Sequence, residues 1–140
     1  MAVLVLACSE PKMAGNVAAA VKYNTRQHRT FLEFMWQYGY AAGHEAYILS
    51  AEFGLIPLTQ TVPDYNRKMD AARARELAPQ IAATLAEHAD DTVYVYGGKL
   101  YRDTVKAVHG DVVEIVGENR GCGDHFSELL MMATDDEFAL

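Results

Sequence analysis

Apolar positions fall along the chain in short blocks separated by polar stretches, and the blocks alternate between two patterns. VLVLA (3–7) is a continuous apolar run, the pattern of a strand buried on both faces. After a polar stretch, residues 26–42 place Phe31, Phe34, Met35 and Tyr38 at helical spacing, with Gly43 as the stop. Ala46 to Ser50 is the second predicted strand. Residues 70–89 form a strongly helical stretch capped by Asp70, in which Pro79 predicts a kink or a division into two shorter helices. TVYVYGG (92–98) is a third strand ending at a glycine pair. KLYRDTVKAVHG (99–110) is a short helix closing on Gly110, and DVVEIVG (111–117) is the fourth strand. NRGCGDHFSELLMMA (119–133) is a glycine-rich turn running into a last helix.

Strands alternating with helices predict βαβ units, hence an α/β fold. The expected architecture is a three-layer αβα Rossmann-like sandwich around a mainly parallel sheet of about four strands, with right-handed crossovers. Ligands of such sheets bind beyond the carboxyl ends of the strands. Here that edge comprises Cys8-Ser9, Ser50-Ala51-Glu52, Gly97-Gly98 and Gly117 onward, so the unusual loops converge on one rim.

The 140 residues fit a single domain, 1–140, with room for a core that needs neither metal nor disulfide. No repeat, linker or low-complexity tract divides it. No apolar run reaches the roughly 18 residues of a membrane span, so no membrane partner is expected. The opening MAVLVLACSEPK lacks a basic flank, which favours a buried strand over a secretory signal and a cytoplasmic protein over an exported one. Cys8 and Cys122 alone do not make a zinc spacing, and neither GxGxxG nor GK[ST] occurs in place, so no cofactor and no metal is expected. A net charge of −7, from 19 acids against 12 bases, argues against a general duplex-DNA binder but allows a locally basic pocket.

The stretch ILSAEFGLIPLTQTVPDYNRKM (48–69) is long for a plain connector between a strand and a helix. Gly54 suits a sharp turn at positive φ. Glu52, at a strand's carboxyl end, stands where a general acid or base would sit, or is simply solvated. Tyr65 either stacks on a base or sugar or anchors the loop to the core. On the functional reading the loop is a lid, turned by Gly54, capped by Tyr65, with Arg67 or Lys68 reaching in. Elsewhere on the rim, Ser9 and Lys12 in CSEPKM suit a polar or anionic ligand, and Cys8 is either a nucleophile or a small buried thiol. Arg26 and Arg29 lie three apart at a helix start, fit to clamp a phosphate or to form a solvated face. Gly97 and Gly98 let backbone approach a ligand at a helix start. His125 is either a catalytic candidate or a structural histidine, and Asp124 is a helix cap.

Together CSxxK after the first strand, Tyr23 before a helix, LSAxxGL, the PxY loop and GGxxY resemble an uncharacterised family of small phage and bacterial proteins with CSxxK, LSAxxGL and PYD-type motifs. That family is distantly similar to the carboxyl-terminal domain of archaeosine synthase and to the uracil-DNA-glycosylase-like fold. The resemblance covers the chain to about residue 105. It implicates Ser9, Lys12, Tyr23, Ser50, Gly54, Tyr65, Gly98 and Tyr101 in a site. This sequence has Pro63-Asp64-Tyr65-Asn66 where the family favours Pro-Tyr-Asp.

The expected function is a small enzyme acting on a nucleotide, nucleobase or modified nucleic acid, with hydrolysis or transfer at an N-glycosidic bond as the candidate reaction. Glu52 or Asp64 would activate water or stabilise positive charge on the sugar. The alternative is a non-catalytic nucleotide- or nucleic-acid-binding module serving a modification or phage–host system. Single-stranded or modified nucleic acid is then the macromolecular partner. Phe34 and Trp36 on the first long helix allow a homodimer.

Overall fold

The computed structural model describes residues 2–8, 14–23, 32–33 and 43–115. Within these, β1 (Ala2–Ala7), β2 (Val17–Ala18), β3 (Glu45–Ser50), β4 (Gly54–Pro57), β5 (Thr61–Val62), β6 (Thr92–Tyr96) and β7 (Val112–Ile115) are strands. Helices α1 (Ala19–Lys22), α2 (Ala71–Leu85) and α3 (Lys99–Lys106) complete the described elements, with a 3-10 turn over Ala86–His88. Among the described residues the main sheet has five strands in the order β4-β3-β1-β6-β7. β3, β1, β6 and β7 run parallel, and β4 folds back antiparallel on β3. The fold is thus mixed α/β with a mostly parallel sheet, as the alternating pattern predicts.

The central strand explains why the apolar runs are continuous. Val3 and Val5 face the α2 side with Leu77, Ile81, Leu85 and Val105. Leu4 and Leu6 face the other side with Ile48, Tyr94, Ala19, Tyr23 and Val62. All four strand residues are fully buried, and each such side chain contributes about 1.5–3 kcal/mol. On α2 the buried positions Leu77, Ile81 and Leu85 recur every four residues, a single helical stripe laid on the sheet.

Two expectations are revised. The sheet carries a fifth strand, β4, inside the loop that follows β3, because Gly54 takes φ +79° and turns the chain straight back along its neighbour. Alternation is invisible in a four-residue strand buried at Gly54, Leu55 and Ile56. The helix over 71–85 also passes through Pro79 without dividing, Pro79 lying on its exposed side. The predicted first long helix (26–42), except residues 32–33, and the last helix (119–133) lie outside the described residues, as do Asp124 and His125. Among the described residues no helix is long and apolar enough to cross a membrane.

Candidate functional site

The carboxyl edge is built outward from Ser50, the last residue of β3. Its Oγ accepts from the backbone N–H groups of Glu52 and Phe53, both at 3.2 Å, closing the turn that leads into β4. With those bonds received, the Ser50 hydroxyl donates to the Tyr65 hydroxyl at 3.0 Å. Tyr65 in turn meets the Tyr23 hydroxyl at 2.5 Å. Ser50, Tyr65 and Tyr23 thus form a chain of three hydroxyls in which either phenol can be the donor of the Tyr65–Tyr23 bond. Burial pushes both phenols above their ordinary range, so both stay protonated and neutral near pH 7. The Phe53 ring meets Tyr65 edge-on, centroids 5.5 Å apart at 84°, and fixes the phenol's orientation.

A second pair flanks this relay. Cys8 continues the β1 ladder through its N–H to the Leu49 carbonyl at 2.9 Å, and its Sγ lies 3.2 Å from the Tyr101 hydroxyl on α3. Cys8, Tyr23, Tyr65 and Phe53 belong to one packed cluster. The end of β6 is drawn tight against β1 here: a Cβ on Gly97 would lie 2.4 Å from the Ala7 Cβ. Gly97 therefore serves close packing, whereas Gly98, exposed at the start of α3, would have open space around a Cβ.

The segment from Val62 to Asp70 crosses this edge as a strap with fastenings at both ends. Its first is β5, paired with β2. Asp64 follows, its Oδ1 accepting from the buried Lys22 ammonium at 2.6 Å and from Gly15 N–H at 2.9 Å, while Lys22 also donates to the Gly15 carbonyl at 2.7 Å. The Lys22 hydrogen bond and the Gly15 amide hold the Asp64 carboxyl below the usual range. At the far end Arg67 lies 3.7 Å from Glu52 and 3.6 Å from Glu76. Asp70 caps α2 by accepting from Arg73 N–H at 2.7 Å, as expected from its position. Arg73 then clamps the β3–β4 turn through the carbonyls of Ala51 at 2.7 Å and Glu52 at 2.6 Å.

The structure thus brings Tyr23, Ser50 and Tyr65 into direct contact, sets Glu52 one turn away and places Tyr101 at Cys8. Asp64 is Lys22's counter-ion, and Gly54 is a turn former whose neighbour is Gln80. Ser9, Lys12 and Arg26 lie outside the described residues. Sequence reasoning missed Lys22, Phe53, Arg73 and Gln80 as the groups that fix the strap and its turn. Lys22 had a signal: a lysine between Val21 and Tyr23 in an apolar stretch calls for a buried partner.

A comparison with protein-family models matches residues 3–129 to DUF6884, a family of unknown function. The chain belongs to that family. This agrees with the expected membership of an uncharacterised family. No curated protein and no solved structure matched. In this DUF6884 chain the matched span includes every residue of the hydroxyl relay.

Proposed function

We propose that the chain is a small enzyme that binds a nucleobase-like ligand at the carboxyl edge of the sheet and acts on its N-glycosidic bond. The observation that carries this reading is the relay Ser50–Tyr65–Tyr23, three neutral hydroxyls converging beside Cys8 and Tyr101. Ser50 and Tyr23 are buried behind the half-buried Tyr65, so Tyr65 is the hydroxyl placed to meet a ligand, and a neutral hydroxyl suits the edge of a base or sugar better than a bare phosphate. Phe53 and Tyr65 supply aromatic surface at the same place. Glu52 is the group assigned to proton transfer, with its backbone fixed by Ser50 and Arg73. Asp64 holds the strap down through Lys22, which assigns it to positioning rather than proton transfer. Lys12 and Arg26 are assigned to any phosphate the substrate carries.

The wider frame of the proposal is a Rossmann-like three-layer sandwich in the cytoplasm, distantly related to the archaeosine synthase domain and the glycosylase-like fold. Burial of β1 on both faces supports cover on each side of the sheet. A homodimer through the first long helix belongs to the same proposal.

The ion pair between Glu52 and Arg67 favours a second reading, a binding module in which Glu52 only fastens the strap. Glu52→Gln separates the two. The enzyme reading expects a folded variant that binds nucleosides and nucleotides as before but releases no base, by mass spectrometry of the mixtures. Full turnover by Glu52→Gln removes Glu52 as the acid or base, and absence of product from the unaltered protein with saturable binding establishes the module.

A further inference from the structure

The amino-terminal edge of the sheet, opposite the hydroxyl relay, gathers a second set of polar side chains. Glu45 opens β3 and Tyr47 follows it, Glu87 and His88 form the turn after α2, and Asp91 leads into β6. The His88 side chain is 5% exposed, whereas those of Glu45 and Glu87 are 48% and 70% exposed. One wall of the cluster is therefore protein interior and the other faces solvent.

His88 Nδ1 lies 3.0 Å from Asp91 Oδ2, and a carboxylate only accepts, so Nδ1 carries the proton. Nε2 faces Glu45 Oε2 at 3.1 Å and Glu87 Oε1 at 3.4 Å. The donor in reach is the Tyr47 hydroxyl, 3.2 Å from Nε2, 3.0 Å from Glu45 Oε2 and 3.5 Å from Glu87 Oε1. One phenol proton cannot serve both carboxylates. A buried imidazole nitrogen facing two carboxylate oxygens calls for positive charge among them, carried by a proton on the ring or by a bound cation. Exposed acids on a solvated surface account for Glu45 and Glu87 alone, but not for the buried imidazole directed at them.

We propose that His88 Nε2, Glu45 and Glu87 bind a divalent transition-metal ion of the zinc class, with Asp91 as the positioning residue. Ligand atoms about 2.0–2.2 Å from a tetrahedral zinc ion stand roughly 3.3–3.6 Å from one another. The observed nitrogen–oxygen separations of 3.1 and 3.4 Å already approach that spacing, and the three ligand atoms lie within 4.8 Å of one another. Asp91 on Nδ1 supplies the carboxylate that commonly fixes the tautomer and orientation of a metal-ligating histidine. Three protein ligands leave a position for water or a substrate atom. Glu45 and Tyr47 also line a groove of about 440 Å³ with Pro57 and Thr59. The site is separate from the hydroxyl relay and does not depend on the function assigned there.

The test is calorimetric titration of the whole chain with Zn²⁺ at neutral pH in a weakly coordinating buffer. The expected result is saturable binding that weakens by about tenfold or more in the Glu45→Gln/Glu87→Gln double variant, whose exposed positions leave the fold intact by circular dichroism. Asp91→Ala, which keeps the ligands but removes the acceptor on Nδ1, should weaken binding about 10–100-fold. Co²⁺ in place of Zn²⁺ should show visible bands that the double variant loses. No binding to the unaltered chain overturns the proposal, since a proton on Nε2 then supplies the charge. Unchanged affinity in the double variant overturns it equally, placing the ion on other residues.

Discussion

Replacing Gly54 by Ala tests whether this glycine is required by the backbone or by a ligand. Its φ of +79° is a left-handed conformation, costing a residue with a Cβ about 1–2 kcal/mol. The added Cβ would lie 2.2 Å from Gln80 Oε1 and 2.9 Å from its Cδ. That amide is already engaged: Oε1 accepts from Leu55 N–H at 2.9 Å, and Nε2 donates to the Leu55 carbonyl at 2.9 Å. Gln80 thus acts as a one-residue extension of the sheet beyond edge strand β4. Displacing it forfeits two hydrogen bonds at about 0.5–1.5 kcal/mol each. Gly54→Ala should therefore cost roughly 2–5 kcal/mol in all. For a domain of this size the melting temperature should fall by roughly 6–20 °C. The assay is urea unfolding, followed by circular dichroism, of Gly54→Ala, Gln80→Ala and the double variant. Once Gln80 is truncated only the backbone cost remains, so the double variant should be about 1–3 kcal/mol better than additive. Strict additivity would refute the collision with Gln80. A cost for Gly54→Ala below about 1 kcal/mol would refute the backbone requirement itself.

Tyr65→Phe keeps the ring against Phe53 but removes the hydroxyl between buried Ser50 and Tyr23. It should cost about 1–3 kcal/mol in denaturant unfolding, and an unchanged midpoint would show that the relay adds nothing to stability. Asp64 has a folded pKa below its unfolded value near 3.9, so its contribution is present above that value and is lost as acid titrates the folded carboxyl. The melting-temperature gap between the unaltered chain and Asp64→Asn should therefore be widest above about pH 5 and shrink towards zero in stronger acid; a gap that widens in acid would contradict the assignment. Asp70→Ala should lower stability by about 1 kcal/mol through loss of the α2 cap, measured by thermal unfolding. If a polynucleotide is the ligand, binding should fall steeply with salt, whereas a nucleoside should bind almost independently of it.

What the sequence revealed and what it hid follow from range. Strands β1, β3, β6 and β7 were legible because each is an apolar run bounded by turn residues, and the Asp70 cap because it adjoins its own helix. The rim followed from topology alone, since parallel strands bring Cys8, Ser50 and Gly97 to one edge whatever their spacing. Strand β4 and the partners of the strap were not legible. Lys22 meets Asp64 across 42 residues and Gln80 meets Leu55 across 25, and no local periodicity encodes such a pair. Tyr65 was found through its motif, but its contacts with Tyr23 and Ser50 required the fold. The His88 cluster was missed because its acids lie on three separate elements, with Glu45 preceding His88 by a helix and two strands.

The central claim, a nucleobase-like ligand held by the hydroxyl relay, is tested most directly by thermal shift against bases, nucleosides and nucleotides, with mass spectrometry of each mixture. The panel is run on the unaltered chain and on Tyr23→Phe/Tyr65→Phe. A ligand at about 100 times its Kd should stabilise the native state by roughly 2.7 kcal/mol, a shift of several degrees. Such a shift is expected for a base or nucleoside in the unaltered chain, lost without the two hydroxyls, with a new mass where a glycosidic bond is cut. A panel with no shift, or a shift that survives in the double variant, would contradict the central claim.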